Sequence, residues 1–383
     1  MGKIKVMCVF GTRPEAIKMA TVVIELSKRA DIEPITVLTG QHREMLDQVM
    51  ALFKLSSSAD LNIMQTKQTL TDITTNVLSK IEPILLEKKP DILLVQGDTT
   101  TAFIGALAAF YHKIPVGHIE AGLRTENKYN PFPEEMNRRL VSAIADLHFA
   151  PTAEARQNLL DCGISEDKIY LTGNTVVDAL YHILKYDNIT FPEKLLKEHN
   201  TNNKMLFVET HRRENLGVPM ENICKALKKL IEDVNNIEIV FSVHKNPLVR
   251  DVVYKYLDNT DRVILLEPVD YPVMIKLMKE SFFILTDSGG LQEEAPSLGK
   301  PVLVLRENTE RPEGLRAGTA KLIGTETDRV YNEAMKLLTD QNEYDRMSKS
   351  VNPYGDGLAS QRIVDLILHF KGLKSEKPTE FKG

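Results

Sequence analysis

The chain has 383 residues, which is longer than one typical hydrophobic core and therefore predicts two domains. A hydrophobic share of 43%, a charged share of 26% and a net charge of −5 without a long basic run are typical of a globular protein and argue against a nucleic-acid partner. The three cysteines lie far apart and form no CxxC pair, which fits a cytoplasmic protein without a disulfide framework. The longest apolar run, residues 102–111, is well short of the ~20 residues of a membrane span, so we predict no membrane partner.

Short, continuously apolar segments alternate with helix-period segments along most of the chain. Strands of this kind are typical of parallel sheets that are covered on both faces. The predicted strands, in chain order, are residues 3–10, 35–39, 92–96, 116–119, 147–150, 169–172, 205–208, 239–243, 263–266, 283–286 and 302–305. The clearest predicted helices are residues 16–28, 101–111 and 359–370, of which the second is almost entirely apolar and should be buried.

A polar stretch at residues 187–204 separates two blocks of alternating strands and helices. The pattern predicts an α/β protein with an N-terminal domain, residues 1–172, and a C-terminal domain, residues 173–383. The boundary between them can fall anywhere from residue 173 to residue 204. The last 13 residues of the chain, 371–383, are polar, and we expect them to be frayed.

Several motifs of cofactor and metal enzymes are missing from the sequence. No G-x-G-x-x-G follows the first strand, and no P-loop, H-E-x-x-H or Asp-x-Asp motif is present. These absences disfavour a nicotinamide enzyme, a P-loop nucleotidase and a metal-dependent sugar transferase.

Polar loops follow many of the predicted strands, in both halves of the chain. These loops are Gly11-Thr12-Arg13-Pro14-Glu15, Gly97-Asp98-Thr99-Thr100, Glu120-Ala121-Gly122-Leu123-Arg124, Glu209-Thr210-His211-Arg212-Arg213-Glu214-Asn215 and Asp287-Ser288-Gly289-Gly290. Ligands of open α/β sheets bind outside the carboxyl ends of the strands. The pattern therefore predicts an anionic ligand that is held between two α/β domains.

The segment 287–294 reads as a strand end, a glycine loop and a helix start. Its glycines would let backbone N–H groups approach a phosphate, and a plain N-capped turn is an equally good interpretation. In the first loop, Arg13 and Lys18 offer a guanidinium fork and a point charge for phosphate. Taken alone, that loop is better interpreted as a solvated helix start.

Three carboxylates on separate loops, Asp98, Glu120 and Glu134, could converge, and Arg138 lies one helical turn after the last of them. Clustered carboxylates raise one another's pKa, which suits proton transfer near neutral pH. Each of them alone is better explained as a helix cap or a surface ion pair. His211 could transfer protons or neutralise phosphate charge, although its loop could also be a salt-bridged turn.

The ordered set of motifs resembles the non-hydrolysing UDP-N-acetylglucosamine 2-epimerases of bacteria. The motifs that carry the resemblance are Gly11-Thr12-Arg13-Pro14-Glu15, Gly97-Asp98-Thr99, His118-Ile119-Glu120-Ala121-Gly122-Leu123-Arg124, Pro133-Glu134-Glu135-x-Asn137-Arg138, His211-Arg212-Arg213-Glu214-Asn215, Asp287-Ser288-Gly289-Gly290-x-Gln292-Glu293-Glu294 and Glu310-Arg311-Pro312-Glu313-Gly314. The resemblance implies two Rossmann-like domains whose parallel sheets face a central cleft, in the glycosyltransferase-B arrangement, with the last helix packed back on the N-terminal domain. It implies interconversion of UDP-N-acetylglucosamine and UDP-N-acetylmannosamine, with no cofactor and no added metal, through elimination of UDP to 2-acetamidoglucal and its re-addition.

The resemblance also implies a role for each matching residue. The acid-base set is Asp98, Glu120 and Glu134, supported by Arg138 and His211. The residues that hold the UDP are Arg13, Lys18, Ser288, Gly289, Gly290, Glu294 and Arg311, with Glu294 expected on the ribose. The nearest alternatives are a glycosyltransferase of the same architecture, a hydrolysing epimerase and a catalytically silent sensor of UDP-sugars.

Members of this family are usually dimers that need UDP-N-acetylglucosamine as an activator, and the same is expected here. The matching regulatory positions are Gln41, Gln68, Arg212 and His244. The chain departs from the family pattern at Glu44, where Gln is usual, and at Lys67, where Arg is usual. Lys67 lacks the bidentate fork of Arg, so we expect weaker activation.

Overall fold

A computed structural model describes residues 2–40, 43–64, 68–125 and 127–383, without the side chains of residues 43 and 44. The chain divides into two compact units. Unit 1 consists of Met1–Ala179 with Tyr354–Gly383, and unit 2 consists of Leu180–Pro353. The division thus falls seven residues after the predicted one, and the C-terminal segment belongs to unit 1.

Unit 1 is built on a seven-stranded parallel sheet. Its strands are β1 Ile4–Phe10, β2 Ile32–Leu38, β3 Ala59–Asp60, β4 Ile92–Gln96, β5 Val116–Ile119, β6 Leu147–Ala150 and β7 Ile169–Leu171. The helices that begin in unit 1 before residue 180 are α1 Arg13–Ser27, α2 Arg43–Leu52, α3 Leu70–Lys88, α4 Thr100–Tyr111, α5 Glu134–Ile144, α6 Ala153–Asp161 and α7 Thr175–Ile183, with a short 3-10 turn at Glu166–Lys168. The strand order is β3-β2-β1-β4-β5-β6-β7, so the direction of winding reverses between β1 and β4.

Unit 2 repeats this plan with six parallel strands. They are β8 Lys204–Thr210, β9 Ile237–Val243, β10 Val263–Leu266, β11 Phe283–Thr286, β12 Val302–Val304 and β13 Ala320–Leu322, in the order β10-β9-β8-β11-β12-β13. Its helices are α8 Glu193–Glu198, α9 Val218–Asp233, α10 Pro247–Leu257, α11 Tyr271–Glu280, α12 Gly289–Glu294, α13 Pro312–Ala317, α14 Thr327–Thr339 and α15 Gln341–Ser348, with 3-10 turns at Arg213–Asn215 and Ala295–Leu298. Both sheets have the Rossmann strand order, which confirms the predicted fold class of two parallel-sheet α/β domains.

The apolar runs form strands because both faces of each sheet are covered by helices. Phe10 and Phe149 are fully buried in unit 1, and Phe207, Phe241 and Phe283 are fully buried in unit 2. These side chains come from the interior strands, where a continuously apolar sequence has no solvent face to satisfy. None of the described helices is long and apolar enough to span a membrane.

The C-terminal helix α16, Ala359–Phe370, was predicted correctly and packs against α1. Ser360 Oγ lies 2.9 Å from Thr21 Oγ1, and the backbone N–H of Ser360 donates to Asp178 Oδ1 at 2.7 Å. The expectation of a frayed tail is wrong for Phe381, which is 4% exposed and donates its N–H to the Leu171 carbonyl at 2.9 Å. The tail thereby covers part of the edge strand β7, which a count of polar residues could not indicate.

Candidate active site

Many of the predicted site residues follow strands at the two places where strand order reverses, whereas Glu120 follows β5 and Arg311 follows β12. In unit 1 these neighbours are β1 and β4, and in unit 2 they are β8 and β11. A crevice opens at such a reversal because the connections on its two sides leave toward opposite faces of the sheet. The expectation that ligands bind outside the carboxyl ends of strands therefore leads to corresponding loops in the two units, those after β1 and β4 and those after β8 and β11.

The loop after β1 is held in shape by Glu15, a buried carboxylate in the first turn of α1. Glu15 Oε2 accepts the N–H groups of Thr12 at 2.8 Å and of Gly11 at 3.0 Å, and Oε1 accepts the Thr99 hydroxyl from the loop after β4. Burial raises the pKa of Glu15, and its hydrogen bonds oppose that rise. A Cβ atom on Gly11 would lie 1.8 Å from Thr39 Oγ1, so any larger residue there would force the Thr39 side chain to move. The loop is therefore a helix start, but it is buried rather than solvated, and it is tied to the neighbouring loop.

Two cations of the same helix have different surroundings. Lys18 Nζ forms an ion pair with Glu120 Oε1 inside unit 1. Arg13, one turn earlier, is half-buried, and its side chain makes no hydrogen bond or ion pair with any residue that the structure describes. Arg13 therefore has its guanidinium available for an anionic ligand, whereas Lys18 is already engaged with a predicted catalytic carboxylate.

Glu120 follows β5 and is the most constrained of the predicted carboxylates. Its backbone has φ +62°, a left-handed conformation that costs an L-residue roughly 1–2 kcal/mol. Besides the ion pair with Lys18, its carboxylate accepts Nε2 of Gln96 from the end of β4 and Nδ2 of Asn174 at 3.0 Å from the loop after β7. Non-glycine residues in this conformation persist where surrounding contacts fix them, and they concentrate at functional sites.

Asp98 and Arg138 are brought together as an ion pair of 2.6 Å between Oδ2 and Nη2. Arg138 also donates to Glu135, which is fully buried and additionally receives Arg139 Nε at 2.7 Å. The sequence analysis noted the helical spacing of Arg138 from Glu134, but the pairing is with Asp98 and Glu135. Glu134 is half-buried at the start of α5, and its side chain makes no hydrogen bond or ion pair with the described part of the chain.

His118 positions the loop that carries Asp98. Its Nε2–H donates to the Gly97 carbonyl at 2.8 Å, and the ring is fully buried in β5. Burial lowers the pKa of His118 to about 4, so the imidazole is neutral at physiological pH. His118 is therefore a structural residue of this loop.

In unit 2, Asp287 joins the loop after β11 to the loop after β8. The fully buried carboxylate accepts the backbone N–H groups of His211 at 3.0 Å and Arg212 at 3.0 Å, and Nδ2 of Asn215 at 2.8 Å. Burial raises the pKa of Asp287, and these donors oppose the rise. Ser288 occupies the N-cap position of α12 without a capping side-chain hydrogen bond, so the plain N-capped turn does not describe this loop.

His211 donates Nδ1–H to Glu209 Oε1 at 2.7 Å, and Nδ1 lies 3.5 Å from Asp287 Oδ1. The hydrogen bond to Glu209 raises the pKa of His211. Within the described residues, Glu209, His211 and Asp287 form the one group whose ligand atoms are close enough for a metal, all within 4.8 Å. The Asp287 oxygens, however, already accept several donors, and Nδ1 carries its proton toward Glu209, so hydrogen bonds satisfy this group.

Arg311 lies across the glycine loop. A Cβ atom on Gly289 would be 3.3 Å from Arg311 Cζ, so the absence of a side chain at Gly289 allows this close approach. Arg311 Nε donates to the buried Glu293 at 2.7 Å, which holds the guanidinium in place. Burial opposes ionisation of the neighbouring Glu310, but Arg212, Arg311 and Arg306 together lower its pKa to about 2.

The other predicted UDP-binding residues surround the same loop. Glu294 is buried at the end of α12, and its Oε1 accepts the Tyr271 hydroxyl at 2.6 Å. A Cβ atom on Gly290 would be 3.8 Å from Ser288 Oγ and 3.9 Å from Glu294 Oε2. Ser288, Gly290 and Glu294 therefore share one small surface of unit 2.

The predicted regulatory residues are spread over both units. Gln68 donates Nε2–H to the Ile63 carbonyl in unit 1. Arg212 donates to Glu310 Oε1 at 3.0 Å, and the His244 ring centroid lies 6.2 Å from that of His211 in unit 2. Gln41 and Lys67 lie outside the described residues, as does the side chain of Glu44.

The sequence analysis assigned no role to several residues that organise these loops. They are Gln96, Asn174, Glu209 and Asn215. Gln96 stands at the end of β4, inside a run that was predicted only as a strand, whereas Glu209 and Asn215 belong to a predicted polar loop in which only the basic residues were given roles. Asn174 follows β7 in the segment Gly173-Asn174-Thr175, which has the polar character of the other loops and could have been found by the same rule.

Comparison with known proteins identifies the family. A family model described as UDP-N-acetylglucosamine 2-epimerase matches residues 24–368. The UDP-N-acetylglucosamine 2-epimerase of Bacillus subtilis is 52% identical over 383 residues, which is 100% of this chain and 100% of that protein. The chain belongs to the UDP-N-acetylglucosamine 2-epimerase family. The resemblance drawn from the sequence is confirmed, and so is the prediction that the chain is an epimerase.

Solved structures of this family agree with the fold. The UDP-N-acetylglucosamine 2-epimerase of Neisseria meningitidis, bound to UDP-N-acetylglucosamine, has a TM-score of 0.87 at 49% identity and covers 96% of this chain and 100% of its own. The enzyme of Methanocaldococcus jannaschii, in complex with UDP-N-acetylglucosamine and UDP, has a TM-score of 0.78 at 33% identity with the same coverage. At such identities, likeness extends to the family as well as to the fold.

Proposed function

We propose that this chain interconverts UDP-N-acetylglucosamine and UDP-N-acetylmannosamine by inverting carbon 2 of the sugar. The observation that carries the proposal is Glu120, a buried carboxylate in a left-handed backbone that Lys18, Gln96 and Asn174 hold in one position. A carboxylate that its surroundings hold in a strained backbone conformation suits a group that transfers a proton at one defined position. The substrates named for the relatives in the preceding comparison support the choice of nucleotide sugar.

The chemistry requires proton transfer and departure of UDP to occur together. The proton on carbon 2 has no adjacent carbonyl to acidify it, so its removal is coupled to breaking the bond between carbon 1 and the UDP oxygen. The electron pair of the C–H bond becomes the double bond of 2-acetamidoglucal, and the C–O pair leaves with UDP. Re-addition delivers a proton to the opposite face of carbon 2 while UDP oxygen attacks carbon 1.

Inversion needs proton-transfer groups that act on both faces of carbon 2. Asp98, Glu120 and Glu134 form the proposed set. The first two are held by ion pairs, Asp98 with Arg138 and Glu120 with Lys18. Glu134 forms no ion pair with the described residues, so a cation does not hold its carboxylate in place.

The UDP moiety is the proposed ligand of the glycine loop in unit 2 and of Arg13 in unit 1. Backbone N–H groups at Gly289 and Gly290, with the Arg311 guanidinium close above, provide donors for a diphosphate. The buried carboxylate of Glu294 provides an acceptor for ribose hydroxyls. Cationic and N–H donors of this kind stabilise the charge that develops on UDP as it leaves.

Equilibration in heavy water tests the proposed function. An epimerase of this mechanism places solvent deuterium on carbon 2 of recovered UDP-N-acetylglucosamine, without any acceptor, and mass spectrometry with NMR locates the label. Transfer of sugar to an acceptor without deuterium at carbon 2 would instead identify a glycosyltransferase. Free N-acetylmannosamine with UDP would identify a hydrolysing enzyme, and binding without turnover would identify a sensor.

We further propose that UDP-N-acetylglucosamine activates the enzyme through Gln41, Gln68, Arg212 and His244, and that the working form is a cytoplasmic homodimer in the synthesis of cell-wall or capsule polysaccharide. Activation requires that the second molecule bind the active conformation better than the inactive one. The test starts the reverse reaction from UDP-N-acetylmannosamine alone and then adds traces of UDP-N-acetylglucosamine. An immediate full rate without lag or stimulation would exclude the activation.

A further inference from the structure

Glu209 is a half-buried carboxylate at the end of β8 whose two oxygens have different partners. Oε1 accepts Nδ1–H of His211 at 2.7 Å, and Oε2 accepts the Thr286 hydroxyl at 3.2 Å from the paired residue of β11. Thr286 Oγ1 in turn accepts the backbone N–H of Ser288 at 3.0 Å. One chain of hydrogen bonds therefore links the glycine loop to the imidazole, and Glu209 is its central member.

The geometry fixes which nitrogen of His211 carries a proton toward the protein. An ionised carboxylate can only accept, so Nδ1 is the donor and Nε2 is the nitrogen left for a ligand. Nε2 has no hydrogen-bond partner within the residues that the structure describes. The charged groups near the ring are Glu209 and Asp287, which favour the imidazolium, and Arg212, which opposes it; the His244 ring lies 6.2 Å away.

We propose that Glu209 is a positioning residue that keeps His211 as an imidazolium, so that Nε2–H can stabilise the negative charge on UDP as it leaves carbon 1. This inference rests on the proposed function, because it assigns Glu209 a task in that reaction. No proton need leave the imidazolium during the step: the charge on UDP is stabilised by the hydrogen bond and by the positive charge. The raised pKa of His211 agrees with this role.

The test compares Glu209→Gln with the wild-type full chain. Gln keeps the size and an acceptor oxygen but removes the charge. The pKa of His211, measured in the free protein by NMR of the histidine side chains and assigned with His211→Asn, should fall by about one unit. The high-pH limb of the kcat profile should move to lower pH by the same amount, which gives about a tenfold loss of kcat at alkaline pH and a smaller change in KM.

A matched control is available in the same sheet. Glu238, near the amino end of β9, accepts Nδ1 of His199 in a second Glu–His pair, far along the strand from its carboxyl end. Glu238→Gln should leave the kcat profile in place even if it lowers stability. An equal shift in this control would mean that loss of any Glu–His pair in unit 2 acts through stability, and would overturn the inference.

Three further results would overturn it. The high-pH limb could stay in place in Glu209→Gln, the pKa of His211 could remain unchanged, or a chelator could abolish wild-type activity and zinc restore it, which would make Nδ1 a metal ligand. Failure of the proposed function is a separate result, since it would appear as a wild-type enzyme without deuterium incorporation. The NMR titration needs no turnover and would still report whether Glu209 sets the protonation of His211.

Discussion

Two buried histidines predict that unit 1 loses stability in mild acid. His118 in β5 and His148 in β6 are register partners on adjacent strands, and both are fully buried. Burial lowers the pKa of His118 to about 4 and that of His148 to about 3. Both nitrogens of His148 lack a hydrogen bond of good geometry within the described residues, and the nearby Ala145 carbonyl opposes only part of the lowering.

The magnitude follows from the difference between folded and unfolded chains. In the unfolded chain each imidazole has a pKa near 6.5 and binds a proton below that pH, whereas the folded protein keeps both rings neutral until much lower pH. The free energy of unfolding that the neutral rings contribute is fully present above about pH 6.5 and is lost as pH falls toward 4 and then 3. At about pH 5 the loss is about 2 kcal/mol for each ring. Burial raises the pKa of Asp178 to about 6, so protonation of this carboxyl as pH falls removes the cost of a buried charge. This adds about 1 kcal/mol to the free energy of unfolding at about pH 5 and opposes part of the loss.

The perturbation that isolates one ring is His148→Phe, which keeps an aromatic shape and removes the titrating group. Guanidinium unfolding of the full chain at about pH 8 and about pH 5 should show that the wild type loses about 2 kcal/mol more than the variant. The free energy at the higher pH should change little, because two poorly paired nitrogens are removed with no loss of volume. His112→Gln, at the end of α4, is the control and should keep the wild-type pH dependence. If His148→Phe retains the wild-type dependence, burial does not hold His148 neutral.

Three predictions concern the proposed active site. Glu120→Gln should lower kcat about 100-fold or more while UDP still binds, measured by coupled assay and calorimetry, and unchanged turnover would remove this residue from the mechanism. Arg13→Ala and Arg311→Ala should each weaken UDP binding by about 1.5–3 kcal/mol, since each loses a charge-assisted contact, and unaltered Kd values in both would contradict the proposed binding set. Gly289→Ala should weaken UDP binding more than Gly290→Ala, because its Cβ would lie 3.3 Å from Arg311 against a nearest contact of 3.8 Å, and equal Kd values would show that Arg311 yields freely.

The strands were largely predictable because they are buried on both faces. Short, continuously apolar runs such as Ile92–Gln96 and Phe283–Thr286 indicate strands, because every residue of such a run is buried and the run is too short for a buried helix. The two-residue strand Ala59–Asp60 was missed because it has no apolar run, and β13 was missed because Lys321 interrupts it. Both are edge strands, and such strands depend on pairing with a neighbour that periodicity does not show.

The site was predictable in its strand ends but not in its pairings. The sequence motifs assigned Lys18 to UDP binding and Glu120 to acid-base chemistry, whereas the structure joins the two side chains in one ion pair. Helical spacing selected Glu134 for Arg138, whereas the guanidinium pairs with Asp98 from another loop. Spacing in sequence reports neighbours on one element, and contacts between loops depend on strand order, which a single sequence does not state.

In both units, a buried carboxylate joins the two loops that lie where the strand order reverses. Where strand order reverses, two loops must stay in fixed relation although no sheet hydrogen bond joins them. In unit 1 Glu15 accepts N–H groups after β1 and the Thr99 hydroxyl after β4; in unit 2 Asp287, after β11, accepts N–H groups after β8. Burial raises the pKa of both carboxylates, and several donors stabilise the charged form that holds the loops. Each carboxylate thus fixes a loop that carries a residue of the proposed site, Arg13 in unit 1 and His211 in unit 2.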